Sequence, residues 1–349
     1  MNKENPLLTE QLEDPPLDIQ GFERPRHLLD TIQENLSPLL DLVQRPVIHA
    51  NQFTREQLLQ LARLASRYET QPQMITRPLT GKILISAFYE PSTRTRLSFE
   101  SAWHRLGGDI MSITDPASTG IAKGESLFDV GEMLNHYGDV VVLRDSNNTA
   151  IYEMLEAMRI PIINAGNGTD EHPTQALADM YAIFKWQPKL MLDVVPDKAK
   201  VTIGIIGNPG RMRTVRSLLL LLARFSQAFH EVVVICNSHE SFSEGQREEL
   251  ENARLNLRVS SDLNSELPNF DVVYINAIAW VGDTFEEHGI EYKLSKASPL
   301  KKNAIILHPL ARGEELDTAL DGTNHNWYFA QARGAVFARM ALMSSITRF

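Results

Sequence analysis

Apolar residues recur along this chain with two different spacings, and the two take turns. REQLLQLARLASRYE, beginning at Arg55, carries its apolar residues at helical spacing. KILISAFYE, from Lys82, is short and nearly continuous in apolar character, the mark of a strand covered on both faces. A helical pattern then runs from about Thr95 to Leu106 and stops at Gly107 and Gly108, residues suited to ending a helix. DIMSIT (strand), ESLFDVGEMLNHY (helix), DVVVLRD (strand), AIYEMLEAM (helix) and PIINA (strand) follow in that order. PTQALADMYAIFKWQ is one longer helix, after which Pro188 and a polar connection intervene. The alternation restarts with KVTIGIIG, VRSLLLLLARF, EVVVIC, REELENAR, DVVYINA and AIILHP. The last stretch, QARGAVFARMALMSSITRF, is helical again.

Helices alternating with buried strands predict parallel sheets covered by helices on both faces. The expected fold class is therefore α/β, with two doubly wound parallel-sheet domains and the active site in the cleft between them. The expected divisions are residues 1–45, an N-terminal extension; 46–185, a first domain; 186–328, a second; and 329–349, a helix packing back on the first. The extension, broken by Pro15, Pro16, Pro25 and Pro38, looks unable to hold a firm fold of its own, although LLDTIQENLSPLLDLV fits a short amphipathic helix. A chain of 349 residues is too long for one ordinary core and comfortable for two.

Composition narrows the function classes. With 43% hydrophobic and 22% charged residues, the chain has the profile of a soluble globular protein. It has no run of about 18 apolar residues and no signal-peptide pattern, so a cytoplasmic protein without a membrane partner is expected. Its single cysteine, Cys236, excludes an internal disulfide framework and a cysteine-rich zinc site; no metal and no cofactor are expected. The net charge of -10 argues against a nucleic-acid surface but leaves room for a small anion in a locally positive site.

In sheets of this kind ligands bind beyond the carboxyl ends of strands. Ser92, Thr93, Arg94 and Thr95 sit where a buried strand has ended and a helix begins. Free N–H groups at a helix start favour an anion, hydroxyls add neutral donors, and Arg94 adds a charged fork suited to phosphate oxygens. The plain alternative is an ordinary helix cap beside exposed arginines. Arg144 closes the strand VVVLR, where an arginine is more often a surface ion pair. His172 and Gln175 open another helix after a glycine-rich turn; the histidine can donate to a carbonyl oxygen and the glutamine can accept from an NH2 group. Each feature alone also fits a capped helix start, and what distinguishes them is their convergence on consecutive strand ends. The turn through Gly204, Gly207 and Gly210 reads G-x-x-G-x-x-G, not the dinucleotide fingerprint.

The ordered pair Ser92-Thr93-Arg94-Thr95 and His172-Pro173-Thr174-Gln175 resembles the S-T-R-T and H-P-T-Q motifs of the aspartate and ornithine carbamoyltransferase family, and within it the aspartate branch. The likeness runs from about Lys82 to the C-terminus and includes NWYFAQARGAVFAR, similar to the family's final helix. It implies that 46–185 binds carbamoyl phosphate and 186–328 the acceptor. Ser92, Thr93, Arg94 and Thr95 are then expected to hold the phosphate, and Arg94, Arg144 and His172 to surround the carbonyl and leaving-group oxygens. Gln175 is then expected to orient the carbamoyl NH2. Lys123, at the tip of the loop DPASTGIAKGESLFD, matches a lysine that the family reaches into a neighbouring subunit's site, and Thr119 matches that loop's hydroxyl ligand. Read without the family, the same loop is a solvated surface loop. The resemblance thus implies active sites shared across subunits and a homotrimer or a multiple of it. Glu90 and Arg213 match a pair that links the domains on closure, the arginine also meeting the acceptor's carboxylate.

The likeness weakens where the acceptor is read. After DVVYIN the aspartate branch carries an R-x-Q pair; this chain has Asn276, Ala277, Ile278, Ala279 and Trp280. H-P-L-P-R becomes His308-Pro309-Leu310-Ala311-Arg312. Asn276, Ala277, Ala279, Trp280, Leu310 and Arg213 are the expected acceptor-binding set, with Arg211 and Arg312 as candidates to replace the lost arginine. The leading expectation is a carbamoyltransferase using a small amino-acid-like amine other than aspartate. An aspartate carbamoyltransferase of pyrimidine biosynthesis and a non-catalytic structural or regulatory paralogue are the alternatives.

Overall fold

A computed structural model describes residues 24–236, 242–276 and 292–347. They form two sheets. The first contains β1 (Ile83–Phe88), β2 (Asp109–Ile113), β3 (Val140–Asp145) and β4 (Ile162–Asn167), in spatial order β2-β1-β3-β4. The second contains β5 (Val201–Ile206), β6 (Phe229–Ile235), β7 (Leu257–Ser260), β8 (Val272–Ile275) and β9 (Ile305–Leu307), in order β7-β6-β5-β8-β9. All pairings of these strands are parallel. The helices, shorter turns aside, are α1 (Arg24–Thr31), α2 (Arg55–Thr70), α3 (Thr93–Arg105), α4 (Leu127–Leu134), α5 (Ala150–Ala157), α6 (Pro173–Trp186), α7 (Arg213–Ala223), α8 (Gln246–Asn252) and α9 (Tyr328–Ile346). No helix among the described residues is long and apolar enough to cross a membrane. The fold class is the expected one: two α/β units built on parallel sheets.

Strand alternation divides β1 between two cores, because successive side chains leave opposite faces of a sheet. Leu84 and Phe88 join the core formed with α2, α3, α6 and α9, while Ile85 and Ala87 face Val130 and Leu134 of α4 and Ile151 and Met154 of α5. The larger core does not stop at the domain boundary. It continues through α6 and α7 to Ile203 and Ile205 of β5, so the two cores expected from chain length are joined along this seam. The reason is α6 itself: every residue from Pro173 to Lys185 is buried, and a helix covered all round lies between layers. Helix α9 packs on α2, α3 and α6, the first unit's helices.

Two local expectations change. The segment before residue 45 is helical from Arg24 and buries Leu28 and Leu39 in the main core, so this part has its fold by docking on the first unit. LLDTIQENLSPLLDLV does not form one helix; α1 ends at Thr31, and a separate turn covers Ser37–Leu40 with Pro38 in its first positions, where proline's missing N–H costs nothing. Strand β7 escaped the apolar pattern because it is short and includes Arg258 and Ser260, with none of its four residues fully buried.

Candidate active site

The residues that follow β1, β3, β4, β5, β8 and β9 line one cleft of about 680 Å³ between the two sheets. Four arginines, Arg94, Arg144, Arg211 and Arg213, border it with a single carboxylate, Glu90. Ser92 occupies the N-cap of α3 yet makes no capping hydrogen bond, so its hydroxyl is not consumed there. Thr93, Arg94 and Thr95 form the first turn, whose backbone N–H groups have no acceptors within the helix. Arg94 has no side-chain partner among the described residues, and partial burial lowers its pKa from the ordinary value.

Arg144 is the buried end of β3, 8% exposed. Its Nη1 donates to the Ala165 carbonyl at 3.1 Å and its Nη2 to Glu90 Oε1, while Nε is buried without a partner. Burial, reinforced by the neighbouring Arg213, pushes its pKa down to about 10. Across the cleft Arg213, first residue of α7, donates to Glu90 Oε2 at 3.1 Å and Oε1 at 2.9 Å, and also to the Gly168 carbonyl. Burial works to raise the Glu90 pKa, but the hydrogen bonds and charges of the two arginines outweigh it and hold the carboxyl below its ordinary range. One carboxylate thus ties a residue of each sheet's unit into a clamp. Gly166 makes room for it: at φ +114° a Cβ here lies 2.7 Å from Arg144 Nη1 and 3.2 Å from Arg213 Cζ.

His172 is the N-cap of α6 and, like Ser92, makes no side-chain capping bond. Its backbone N–H donates to Ser217 Oγ of α7 at 2.9 Å, and Thr174 Oγ1 lies 3.4 Å from Nδ1. Nε2 is buried without a partner. Burial foremost, then Arg144, Arg213 and Arg339, lower its pKa well below the ordinary histidine value, so the ring is neutral. Gln175 donates through Nε2 to Asp179 Oδ1 at 2.7 Å.

Residues 45–185 match the family model of the aspartate/ornithine carbamoyltransferase carbamoyl-P binding domain, and residues 199–346 match that of the Asp/Orn binding domain. The chain belongs to this family. The aspartate carbamoyltransferase catalytic subunit of Methanopyrus kandleri is 36% identical over 313 residues, 86% of this chain and 97% of that one. That of Thermococcus kodakarensis is 35% identical over 314 residues, 87% and 97% of the two chains. Among solved structures, aspartate transcarbamoylase from Trypanosoma cruzi in complex with carbamoyl phosphate and aspartate superposes with a TM-score of 0.80 at 31% identity, over 90% of this chain and 98% of that one.

The carbamoyltransferase brings Glu90, Ser92, Thr93, Arg94, Thr95, Arg144, His172, Gln175, Arg213, Asn276 and Leu310 to its cleft. It leaves two expected residues outside. Thr119 caps a short turn, Gly120–Lys123, with its hydroxyl donating to the Pro116 carbonyl at 2.7 Å, and Lys123 is exposed beside Gly124; neither lines this chain's own cleft. Ala277, Ala279 and Trp280 lie outside the described residues. On the second unit's side of the cleft, Asn276 donates to Thr214 Oγ1 at 2.8 Å, and Pro309 and Leu310 form the border, with a cis peptide between Leu310 and Ala311. The two replacement arginines differ: Arg312 is held bidentately by Asp321, whereas Arg211 lines the cleft with no side-chain partner among the described residues. Asp179, Ser217 and Gln331 were not singled out from sequence. The available signal was Asp179 itself, an acid inside the apolar pattern of α6.

Proposed function

We propose that this carbamoyltransferase moves the carbamoyl group of carbamoyl phosphate to the amine of a small amino-acid-like acceptor other than aspartate. The observation carrying the transfer reaction is the cleft in which four guanidinium groups meet one carboxylate, leaving a positive site for an anion. The phosphate lies against the first turn of α3, held by Ser92, Thr93, Arg94 and Thr95. The acceptor's neutral amine attacks the carbonyl carbon, charge grows on the carbonyl oxygen, and the bond to the phosphate oxygen breaks. Arg94, Arg144, Thr95 and neutral His172 stabilise that charge, the histidine donating from Nε2 when Thr174 donates to Nδ1. Gln175 accepts from the carbamoyl NH2. The departing phosphate takes up the proton that the amine loses, so no protein nucleophile is required. Holding both substrates in line supplies most of the remaining acceleration.

The restriction on the acceptor rests on Ala277 and Ala279 standing where the aspartate branch has its R-x-Q pair. Losing charged donors costs about 1.5–3 kcal/mol of binding each. Arg213, Arg211, Asn276, Leu310 and Trp280 then read an acceptor with one carboxylate. Aspartate is the second reading, favoured by the aspartate enzymes at 35–38% identity and by Arg211, whose cation, without a side-chain partner among the described residues, can replace a lost one. Phosphate release dependent on carbamoyl phosphate, measured against a panel of amines, separates the two. Fast turnover confined to aspartate overturns the first reading, and silence across the panel without carbamoyl phosphate binding overturns both.

The exposure of Lys123 and its absence from the lining of this chain's cleft support a site completed by Thr119 and Lys123 of a neighbouring copy, in a trimer or a multiple of it. Inactive Lys123→Ala and His172→Ala proteins, mixed under conditions of subunit exchange, are expected to recover part of the activity. No recovery after verified exchange counts against shared sites.

A further inference from the structure

Gln175 leans on a carboxylate for which the reaction described above has no use. Asp179 lies one turn further along α6, is fully buried, and accepts through Oδ1 from Gln175 Nε2 at 2.7 Å and from Gln331 Nε2 at 2.6 Å. Gln331, on α9, accepts in turn through Oε1 from the His308 backbone N–H at 2.8 Å. His308 Nδ1 accepts from the Leu310 N–H at 2.8 Å, which leaves the ring proton on Nε2, 2.9 Å from Glu315 Oε1. A continuous line of hydrogen bonds therefore runs from Gln175, on the carbamoyl side of the cleft, to Leu310 on the acceptor side.

The direction of these bonds matters more than their number. An ionised carboxylate only accepts, so the Gln175 amide must turn its NH2 toward Asp179 and its oxygen toward the cleft. The flipped amide sets oxygen against oxygen in a buried place, where an unsatisfied polar group costs most. Gln331 is fixed by the same logic, since its NH2 meets Asp179 and its oxygen must take the His308 N–H. Burial pushes the Asp179 carboxyl up to about 6, against the hydrogen bonds of Gln331 and Gln175 that favour its charge. A charge kept at such a cost, beside the equally buried Arg339, calls for a use.

We propose that Asp179 is a positioning residue for carbamoyl transfer, fixing Gln175 as an acceptor for the carbamoyl NH2 and, through Gln331, setting the 308–310 turn against the second substrate. The proposal rests on the carbamoyl-transfer reading. Both glutamines approach one oxygen, so Asp179→Asn keeps that oxygen in place; the reversed amide confronts two NH2 groups with a third. Asp179→Leu keeps the branched outline of the side chain, with added bulk, and removes the acceptor.

The test is a double-mutant cycle read by carbamoyl phosphate affinity and steady-state rates. Asp179→Leu is expected to lower kcat/KM for carbamoyl phosphate about tenfold, the loss of one oriented hydrogen bond. In a Gln175→Ala background the same change is expected to cost less than about twofold, because its target is gone. Asp179→Asn stays within about threefold of the parent, and Gln331→Leu raises the acceptor KM while leaving carbamoyl phosphate affinity alone. Equal losses from Asp179→Leu in both backgrounds, or an Asp179→Asn protein as impaired as Asp179→Leu, overturn the proposal. If Asp179→Leu does not fold, an Asp179→Asn protein impaired more than about threefold, or a Gln331→Leu protein with an unchanged acceptor KM, overturns the proposal. A parent that binds no carbamoyl phosphate overturns the transfer reading; crystal structures of the variants then judge the positioning claim alone, and a Gln175 amide unmoved in Asp179→Leu sinks it.

Discussion

Glu90→Gln tests whether the clamp between the two units is needed for turnover. The carboxylate takes two hydrogen bonds from Arg213, at 3.1 and 2.9 Å, and a third from Arg144. Glutamine has nearly the same shape but one accepting oxygen in place of two, and no charge. With its oxygen at the Oε1 position it can still serve Arg144 and Arg213 Nη2, but its NH2 then faces Arg213 Nη1. At least one charge-assisted bond is lost, worth about 1.5–3 kcal/mol, and the two guanidinium groups remain close without a neutralising partner. If the closed cleft is the reacting form, that free energy appears in the transition state as a fall in kcat/KM of roughly 10- to 150-fold. Initial rates of carbamoyl-phosphate-dependent phosphate release, with the best acceptor from the panel, measure it, and a thermal melt run in parallel verifies the fold. A variant that melts like the parent and stays within threefold of its kcat/KM refutes the reasoning, because the clamp is then dispensable.

Gly166→Ala places a Cβ 2.7 Å from Arg144 Nη1 at a backbone angle that alanine rarely adopts. Displacing Arg144 is expected to cost on the order of 100-fold in kcat, and activity near that of the parent contradicts the tight approach. His172 should remain neutral, since burial and the nearby arginines depress its pKa. Its contribution to stability is then full above the unfolded value of about 6.5 and shrinks as pH falls below it, because only the unfolded chain takes up the proton. Ring-nitrogen NMR shifts showing His172 half-protonated near pH 6.5 exclude this. Leu28→Ala, in the segment before residue 45, is expected to cost about 2–5 kcal/mol in denaturant unfolding, as for a core leucine. A loss below about 1 kcal/mol means that α1 is not part of the core.

Much of this molecule could be read from its amino-acid order because the relevant forces act within single elements. The spacing of apolar residues placed four strands in the first sheet and helices between them. Ser92 through Thr95 and His172 through Gln175 were located at helix starts by the strand or glycine-rich turn before them. Strand β7 was missed because its four residues, LRVS, are partly polar and none is fully buried, which leaves a weak apolar signal. Neither helix start turned out to be capped by its N-cap side chain, a point that composition leaves open.

What only the tertiary structure decided is which charges find each other. Glu90 and Arg213 are 123 positions apart; the family resemblance pairs them, but nothing local distinguishes their meeting from two solvated surface charges. Arg211 and Arg312 look interchangeable along the chain, yet Asp321 occupies one and leaves the other at the cleft. Asp179 reads as an oddity in an apolar helix until α9 brings Gln331 to it. Periodicity is set by spacing inside one element, so the sequence carries it openly. Ion pairs and hydrogen-bond lines join elements whose approach is fixed by packing, and only the folded core brings α6, α7, α9 and the strand ends within reach of one another.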